Sequence, residues 1–262
     1  MKRKVPPYGT YEKKSSSYMP NITVVCVIFG FHEGNLNVLL NRINGTEKWM
    51  VPGGFVEMNE DIEATARRVL LLRTGLKDVY FRQFHLFGKG ERLDIEDRKN
   101  ILSKIEKDYL TKEEEEWYLS RFLNISYYAL TEYSKVEITP GECEELKWFS
   151  LNNLPELFSD HEDIIKKGIE TIKMQLGYIP IGYELLPDNF TMPELRSIYE
   201  AILGREIDRR NFQRKMLSTG LIKPLNKTRK SGAHKAPNLY SFIEKKYNEA
   251  EKLGLQLMSK NL

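Results

Sequence analysis

Apolar residues run almost unbroken from Ile22 to Phe31 (ITVVCVIFGF), a β-branched stretch that predicts a strand buried on both faces. His32-Glu33-Gly34-Asn35 reads as a turn, with His32 an exposed member of it, and Leu36 to Arg42 as the returning strand. Trp49-Met50-Val51 leads into Pro52-Gly53-Gly54, a turn signal, after which the pattern becomes helical. Asn59 is placed to cap that helix, Glu60 and Asp61 sit where its dipole favours acids, and Gly75 stops it with Arg73 in the last turn. Val79 to Phe87 then alternates as a strand. Gly90 to Leu119 breaks the β pattern with two helical pieces, about Glu96 to Lys107 and Thr111 to Leu119, the second opened by a Thr111/Glu114 capping box. This segment reads as an insertion. Phe122 to Leu130 and Leu146 to Phe149 return to strand. Asp160 to Leu176 has Ile164, Ile165, Ile169, Ile172 and Leu176 at helical spacing.

Tyr178 to Pro187, with two prolines and a glycine, marks a domain boundary. Beyond it Thr191 and Glu194 form another capping box with Pro193 early in the helix, and Leu195, Ile198, Tyr199, Ile202 and Leu203 make one apolar face that Gly204 ends. Asp208 caps a second helix, Arg209 to Thr219, with Phe212 and Met216 facing inward. Leu221-Ile222 and Leu239 to Phe242 are strands around a basic loop. Helix, turn, basic helix and basic hairpin predict a winged helix-turn-helix. The organisation expected is an N-terminal arm (1–20), a sensing domain (21–177), a DNA-binding domain (183–248) and a tail (249–262).

Composition narrows the classes. The chain has 262 residues, 41% hydrophobic and 29% charged, which suits folded domains rather than disorder. The Ile22 to Phe31 run is too short for a membrane span, and no apolar segment follows the basic start, so a cytoplasmic protein is expected. Cys26 and Cys143 are too few for a disulfide framework or a closed zinc site, and Cys26 reads as a core residue. The net charge of +3 conceals an asymmetry: Arg205 to Lys235 holds ten Lys or Arg against two Asp or Glu. A basic segment on a mildly acidic chain points to a polyanion, here double-stranded DNA. Arg209, Arg210, Asn211, Gln213, Arg214 and Lys215 of the helix, with Lys227, Arg229 and Lys230 of the wing, are the candidate contacts. Arg and Asn are suited to base edges and Lys to phosphates.

The stretch from Gly54 to Leu76 resembles the signature of the Nudix family, G-x5-E-x7-R-E-U-x-E-E-x-G-U, where U is a bulky aliphatic residue. Gly54, Glu60, Arg68, Leu70, Gly75 and Leu76 fall on its fixed positions. The three glutamates after the arginine are replaced by Val69, Leu72 and Arg73. In active Nudix hydrolases those acids gather on one helix face, where a hard cation such as magnesium needs oxygen ligands to activate water. With two aliphatics and a cation there, the fold is expected without the hydrolysis: no catalytic residues, no metal, no cofactor. A competing reading is a hydrolase that recruits Glu57, Glu60 and Glu63, or Glu113 to Glu116. For the latter run a solvated helical turn is the plainer explanation.

A Nudix-like domain followed by a winged helix resembles the Nudix-related transcriptional regulators, especially the bacterial sugar-responsive group that includes the arabinose regulator. Val27 to Phe31, Gly53 to Val56, Arg67 to Leu70, Thr74 to Leu76, Ser126 to Leu130, Gly182 to Leu186 and Thr191 to Asn211 carry the likeness in order along one chain. The resemblance implies an α/β/α sandwich with a mixed sheet, a degenerate Nudix domain that binds a sugar, sugar phosphate or nucleotide sugar, and a homodimer on an operator. Arg42, Trp49, Phe55, Glu60, Arg68 and Phe87 are the candidate ligand contacts, because aromatic faces suit rings and arginines suit phosphates. Each has a structural alternative: core packing for the aromatics and an ion pair with Glu60 for Arg68. An RNA-binding or pure interaction protein using the same basic wing is the third reading.

Overall fold

The computed structural model describes residues 15–104, 111–138, 144–177, 181–229 and 236–253. Its first sheet has six strands: β1 (Tyr18–His32), β2 (Asn35–Ile43), β3 (Gly53–Glu57), β4 (Tyr80–Phe87), β5 (Leu123–Glu132) and β6 (Glu144–Ser150). They lie in the order β4-β5-β1-β2-β6, and β3 also pairs with β1. Glu33 and Gly34 both have positive φ, 48° and 78°, the backbone a tight two-residue hairpin needs to match strand twist. The turn and the exposed His32 are therefore as expected.

Helix α1 (Ile62–Thr74) lies on one face of this sheet, burying Ala66, Val69 and Leu70 against Val24, Cys26 and Ile28 of β1. On the other face runs α4 (His161–Gln175), where Gly168 lets Phe29 and Phe84 approach to 3.6 Å of the point a Cβ would occupy. Alternate residues of β1 thus serve opposite layers, which is the period-two logic of a strand covered on both sides. The α/β/α sandwich is present. The segment read as an insertion supplies α2 (Ile95–Leu102) and α3 (Lys112–Leu119), and α3 opens on the expected box, Thr111 and Glu114 each bonding the other's backbone.

The winged-helix elements are α5 (Gly182–Leu185), β7 (Phe190–Thr191), α6 (Met192–Leu203), α7 (Arg209–Ser218), β8 (Ile222–Thr228), β9 (Asn238–Phe242) and α8 (Glu244–Leu253). Their three-stranded sheet has the order β7-β9-β8. Both halves of the Thr191/Glu194 capping box form, and Asp208 accepts from the Asn211 N–H to cap α7. Tyr199 of α6 meets Phe212 of α7 edge-on at 5.2 Å, fixing the helix pair around buried aromatic area.

Several boundaries differ from the sequence reading. Tyr18–Pro20, assigned to a loose arm, opens β1 instead. Tyr18 is buried, pairs in register with Glu57 and stacks on Trp117 at 6.1 Å, so an aromatic anchor extends the strand. Residues 1–14 lie outside the described set. Gly53-Gly54 is not a turn but the start of β3, opposite Val25 and Val24. The N-cap of α1 is Asp61, not Asn59. Within the stretch read as a boundary, α5 belongs to the winged-helix core: a Cβ on Gly182 would stand 2.3 Å from Leu195 Cδ1. Tyr247, near the end of the expected DNA-binding domain, is buried, stacks on Tyr183 at 4.1 Å and donates its hydroxyl to Glu184 Oε1 at 3.0 Å. Residues 254–262 lie outside the described set.

Gly204 ends α6 at φ 70° with nothing within 4 Å of a Cβ. Gly204→Ala should therefore cost about 1 kcal/mol from backbone strain alone. Chemical denaturation followed by circular dichroism checks this, with a midpoint shift at unchanged slope as the expected outcome.

Candidate functional site

Strand β3 and helix α1 are tied by one guanidinium. Arg68 Nε and Nη2 donate to Glu60 Oε1 and Oε2 at 2.8 and 2.7 Å, and Nη2 also reaches the Phe55 carbonyl at 2.9 Å. Thr65 Oγ1 donates to Glu60 Oε2 at 2.8 Å. Hydrogen bonds from Arg68 hold the Glu60 carboxyl below its ordinary pKa, and Glu60 holds Arg68 above its own. Both candidate ligand residues are committed to each other, as the structural alternative for Arg68 had it.

The three positions that carry acids in the Nudix signature sit in three different environments. Val69 is in the core cluster between α1 and β1. Leu72 faces solvent, 56% exposed. Arg73 is buried and paired with Glu144 of β6, whose other oxygen accepts from Asn41 Nδ2 at 3.2 Å. A hard divalent cation needs converging oxygens, and this face offers a methyl pair, an exposed aliphatic and a positive charge. The residues present do not fit the family's metal. The alternative acids are engaged elsewhere too: Glu63 pairs with Arg67 at 2.8 Å, and Glu114 is spent in the α3 cap. Among the described residues, no group of three or more His, Cys, Asp or Glu is placed to hold a metal ion.

The opposite face of the sheet carries a cleft of about 450 Å³, most of it open mouth. Thr23 and Val25 of β1, Phe55 of β3 and Asn124 of β5 line it from the sheet. The segment read as an insertion adds Arg92, Leu93, Arg98 and Tyr118, and the approach to α4 adds Phe158 and His161. Arg92 makes a two-point pair with Asp160, Nε to Oδ2 and Nη2 to Oδ1 both at 2.9 Å, and donates to the Phe122 carbonyl at 3.1 Å. Arg98 donates to the carbonyls of Tyr118 and of Ser120, and its guanidinium lies 4.9 Å over the Phe122 ring. His161 accepts the Val51 N–H at Nδ1, 2.8 Å away. Burial, with Arg92 and Arg98 nearby, drives its pKa down to about 3, so the imidazole is neutral. Desolvation raises the Asp160 pKa despite its guanidinium partner. Asp97 completes the fastening of this segment: it takes Lys48 Nζ at 2.8 Å on one oxygen and the Ser159 N–H at 2.8 Å on the other.

Of the six ligand candidates named from the sequence, the structure brings Phe55 alone to this cleft. Arg42 pairs with Glu145 at 2.8 Å and lies 4.8 Å over the ring of Trp49, which is itself buried and meets Phe149 at 4.6 Å. Phe87 packs edge-on against His85 at 4.6 Å. Sequence reasoning missed Arg92, Arg98 and His161. The two arginines stand among charged neighbours that read as solvent-facing, and the histidine sits at a helix start where a surface role is the commoner one.

In the winged helix, α7 turns Arg209, Arg210, Asn211 and Arg214 outward, and Asn211 Oδ1 accepts from Arg214 Nη2 at 2.8 Å. Lys227 on the wing is exposed. Three candidates are placed otherwise. Gln213 leans toward the Tyr240 hydroxyl at 3.4 Å, and Lys215 is half-buried, which lowers its pKa. Arg229 pairs with Glu194 at 2.5 Å and donates to the Asn189 carbonyl at 2.7 Å, so it fastens the wing to the start of α6. Lys230 lies outside the described residues.

The model of the NUDIX domain matches residues 19–168, and that of the NrtR DNA-binding winged helix domain matches residues 182–242. A curated relative, the ADPR responsive transcriptional repressor NtrR of Acinetobacter baylyi, is 27% identical over 243 residues, 90% of this chain and 87% of its own. Among solved structures, Shewanella oneidensis NrtR complexed with a 27mer DNA superposes with a TM-score of 0.68 at 24% identity, over 87% of this chain and 95% of that one. A MutT/nudix family protein from Enterococcus faecalis gives 0.61 at 21% identity, over 86% and 88%. Among the described residues no helix is long and apolar enough to cross a membrane.

Restoring the signature acids one at a time should separate the environments. Leu72→Glu should change stability by less than about 0.5 kcal/mol. Arg73→Glu, which sets a second carboxylate against buried Glu144, should cost about 3 kcal/mol or more in urea unfolding. His161 gives a pH signature. Its folded pKa, about 3, lies below the ordinary 6.5, so the unfolded chain takes up a proton that the folded state refuses between those values. Stability should fall as pH drops through that window, and His161→Asn should flatten the slope by about 1 kcal/mol per pH unit, measured between about pH 4.5 and 6.

Proposed function

The chain belongs to the Nudix family, and from its NrtR-type winged helix we propose that it is a DNA-binding transcriptional repressor whose Nudix domain senses a nucleotide sugar and does not hydrolyse it. The observation that carries this is the replacement of the acid face: Val69 in the core, Leu72 in water and Arg73 in a buried ion pair leave no place for the cation on which pyrophosphate chemistry depends. What the domain keeps is a cleft rimmed by aromatics and buried guanidinium groups, a chemistry for binding.

The effector expected from the sugar-responsive group was broad. The Acinetobacter relative's name points to the nucleotide-sugar end of that range, so ADP-ribose is the effector proposed for this chain. On the DNA side, Arg209, Arg210, Asn211 and Arg214 form the exposed face of α7 that enters the major groove, and Lys227 lies with the wing on phosphates. Two copies on one operator complete the proposal, since a winged helix reads a half-site. Effector control then requires ADP-ribose to bind the DNA-competent and DNA-incompetent states unequally.

The test is fluorescence anisotropy with duplex from upstream of the chain's own gene. Sequence-specific binding is expected. ADP-ribose should shift the midpoint about tenfold, a typical coupling. The Arg210→Ala, Arg214→Ala double variant should lose the preference over random duplex. ADP-ribose incubated with the protein and magnesium should be recovered intact by chromatography. Turnover would overturn the non-hydrolytic part of the proposal, and indifference of the midpoint to ADP-ribose would overturn the sensor.

A further inference from the structure

His161 is 4% exposed, and its two ring nitrogens have different fates. Nδ1 accepts the Val51 N–H, a backbone donor whose direction is fixed, so Nδ1 carries no proton and Nε2 does. Among the described residues that Nε2–H has no protein partner, and the residue lines the cleft. An N–H that opens onto a cleft is available to an incoming acceptor, and a charged acceptor makes the stronger hydrogen bond. The rest of the polar lining is also rich in donors. Arg92 and Arg98 bring two positive charges to the cleft, and no carboxylate lines it. Asp160, paired with Arg92 at two points, offsets one of the two. Thr23 is the exception: its hydroxyl donates to the Leu123 carbonyl at 3.2 Å, which leaves its Oγ1 an acceptor. Asn124, 2% exposed, has its Oδ1 engaged by the Ser126 hydroxyl at 3.0 Å. Much of the cleft is open to solvent, so its polar lining meets part of a nucleotide sugar rather than the whole.

We infer that the base of this cleft holds a phosphoryl group, the neutral His161 donating Nε2–H to one of its oxygens alongside the guanidinium groups of Arg92 and Arg98. A phosphoryl oxygen accepts without donating, and its charge is met by Arg98 beside an Arg92 that already shares its own with Asp160. The inference rests on the sensor reading above only in naming ADP-ribose as the source of that group. Free pyrophosphate has the same chemistry and is the other source.

The experiment follows the histidine side chains of the full-length protein by long-range proton–nitrogen correlation. His161 is assigned by the signal lost in His161→Asn, which keeps an acceptor near Val51 and drops the far donor. His161 should show the Nε2–H tautomer at pH 7. Its Nε2 signal should shift on adding ADP-ribose or inorganic pyrophosphate and stay still with adenosine. Calorimetry should find His161→Asn at least tenfold weaker for whichever of the two phosphates binds. If ADP-ribose binds and the Nε2 signal does not move, the inference falls and the sensor reading stands. If pyrophosphate moves it and ADP-ribose does not bind, the phosphoryl site stands and the ADP-ribose reading falls. A shift with adenosine as large as with the phosphates, or no shift with any of them, overturns the inference. The same correlation made on the wild-type protein, with other histidines assigned by their own substitutions, decides the matter should His161→Asn fail to fold.

Discussion

Val24 to Phe29 of β1 have almost no surface in water, and meeting that requirement organises the Nudix domain. Every backbone amide of such a strand must find a neighbour, so β1 sits between β5 on one side and β2 and β3 on the other. Every side chain must find a layer, so even-numbered residues call for α1 and odd-numbered ones for α4. The cleft arises where that second layer is incomplete, near Thr23 and Val25, and where α2 and α3 arrive to cover the gap. Burial and the proposed site are therefore set by the same strand: its middle is sealed by helices, and its start opens onto the cleft.

The helix on which the Nudix signature places its acids carries structural contacts here, and its residues show how. Arg68 and Glu60 keep their mutual grip, because a two-point ion pair that also takes the Phe55 carbonyl shapes the loop whether or not a cation is nearby. Arg73 has been turned inward to meet Glu144, which joins α1 to the far edge strand β6. A charge pair in that position is stabilising only while both partners remain. The helix therefore resists return to the acidic pattern at one position and accepts it freely at another.

Much of this was legible in the order of residues. Ile22 to Phe31 announced a doubly buried strand because nothing but a two-layer environment suits so continuous a β-branched run. The capping boxes at Thr111 and Thr191 placed two helix starts to the residue, since both halves of each device are local. What stayed hidden were interactions made across the fold. Tyr18 looked like part of a loose arm because its partners, Phe55 and Trp117, are 37 and 99 positions away. Arg92 and Arg98 lay in a segment whose charge spoke for solvent, and only the fold brings Asp160 and the carbonyls of Tyr118 and Ser120 to them. A lone histidine at a helix start likewise gives no hint that Val51 will fix its tautomer from 110 positions away.

The pairing of Arg229 with Glu194 bears on how the wing would register ionic strength. Binding to a duplex releases condensed counterions in proportion to the phosphates that are neutralised, and the logarithm of the affinity falls with that of the salt concentration accordingly. An arginine that reaches the backbone already matched by a carboxylate must exchange one anion for another, and it adds little to that slope. On the contacts proposed above, the gradient would come from the outward residues of α7 and from Lys227, and would be shallower than the ten cations of residues 205–235 would lead one to calculate.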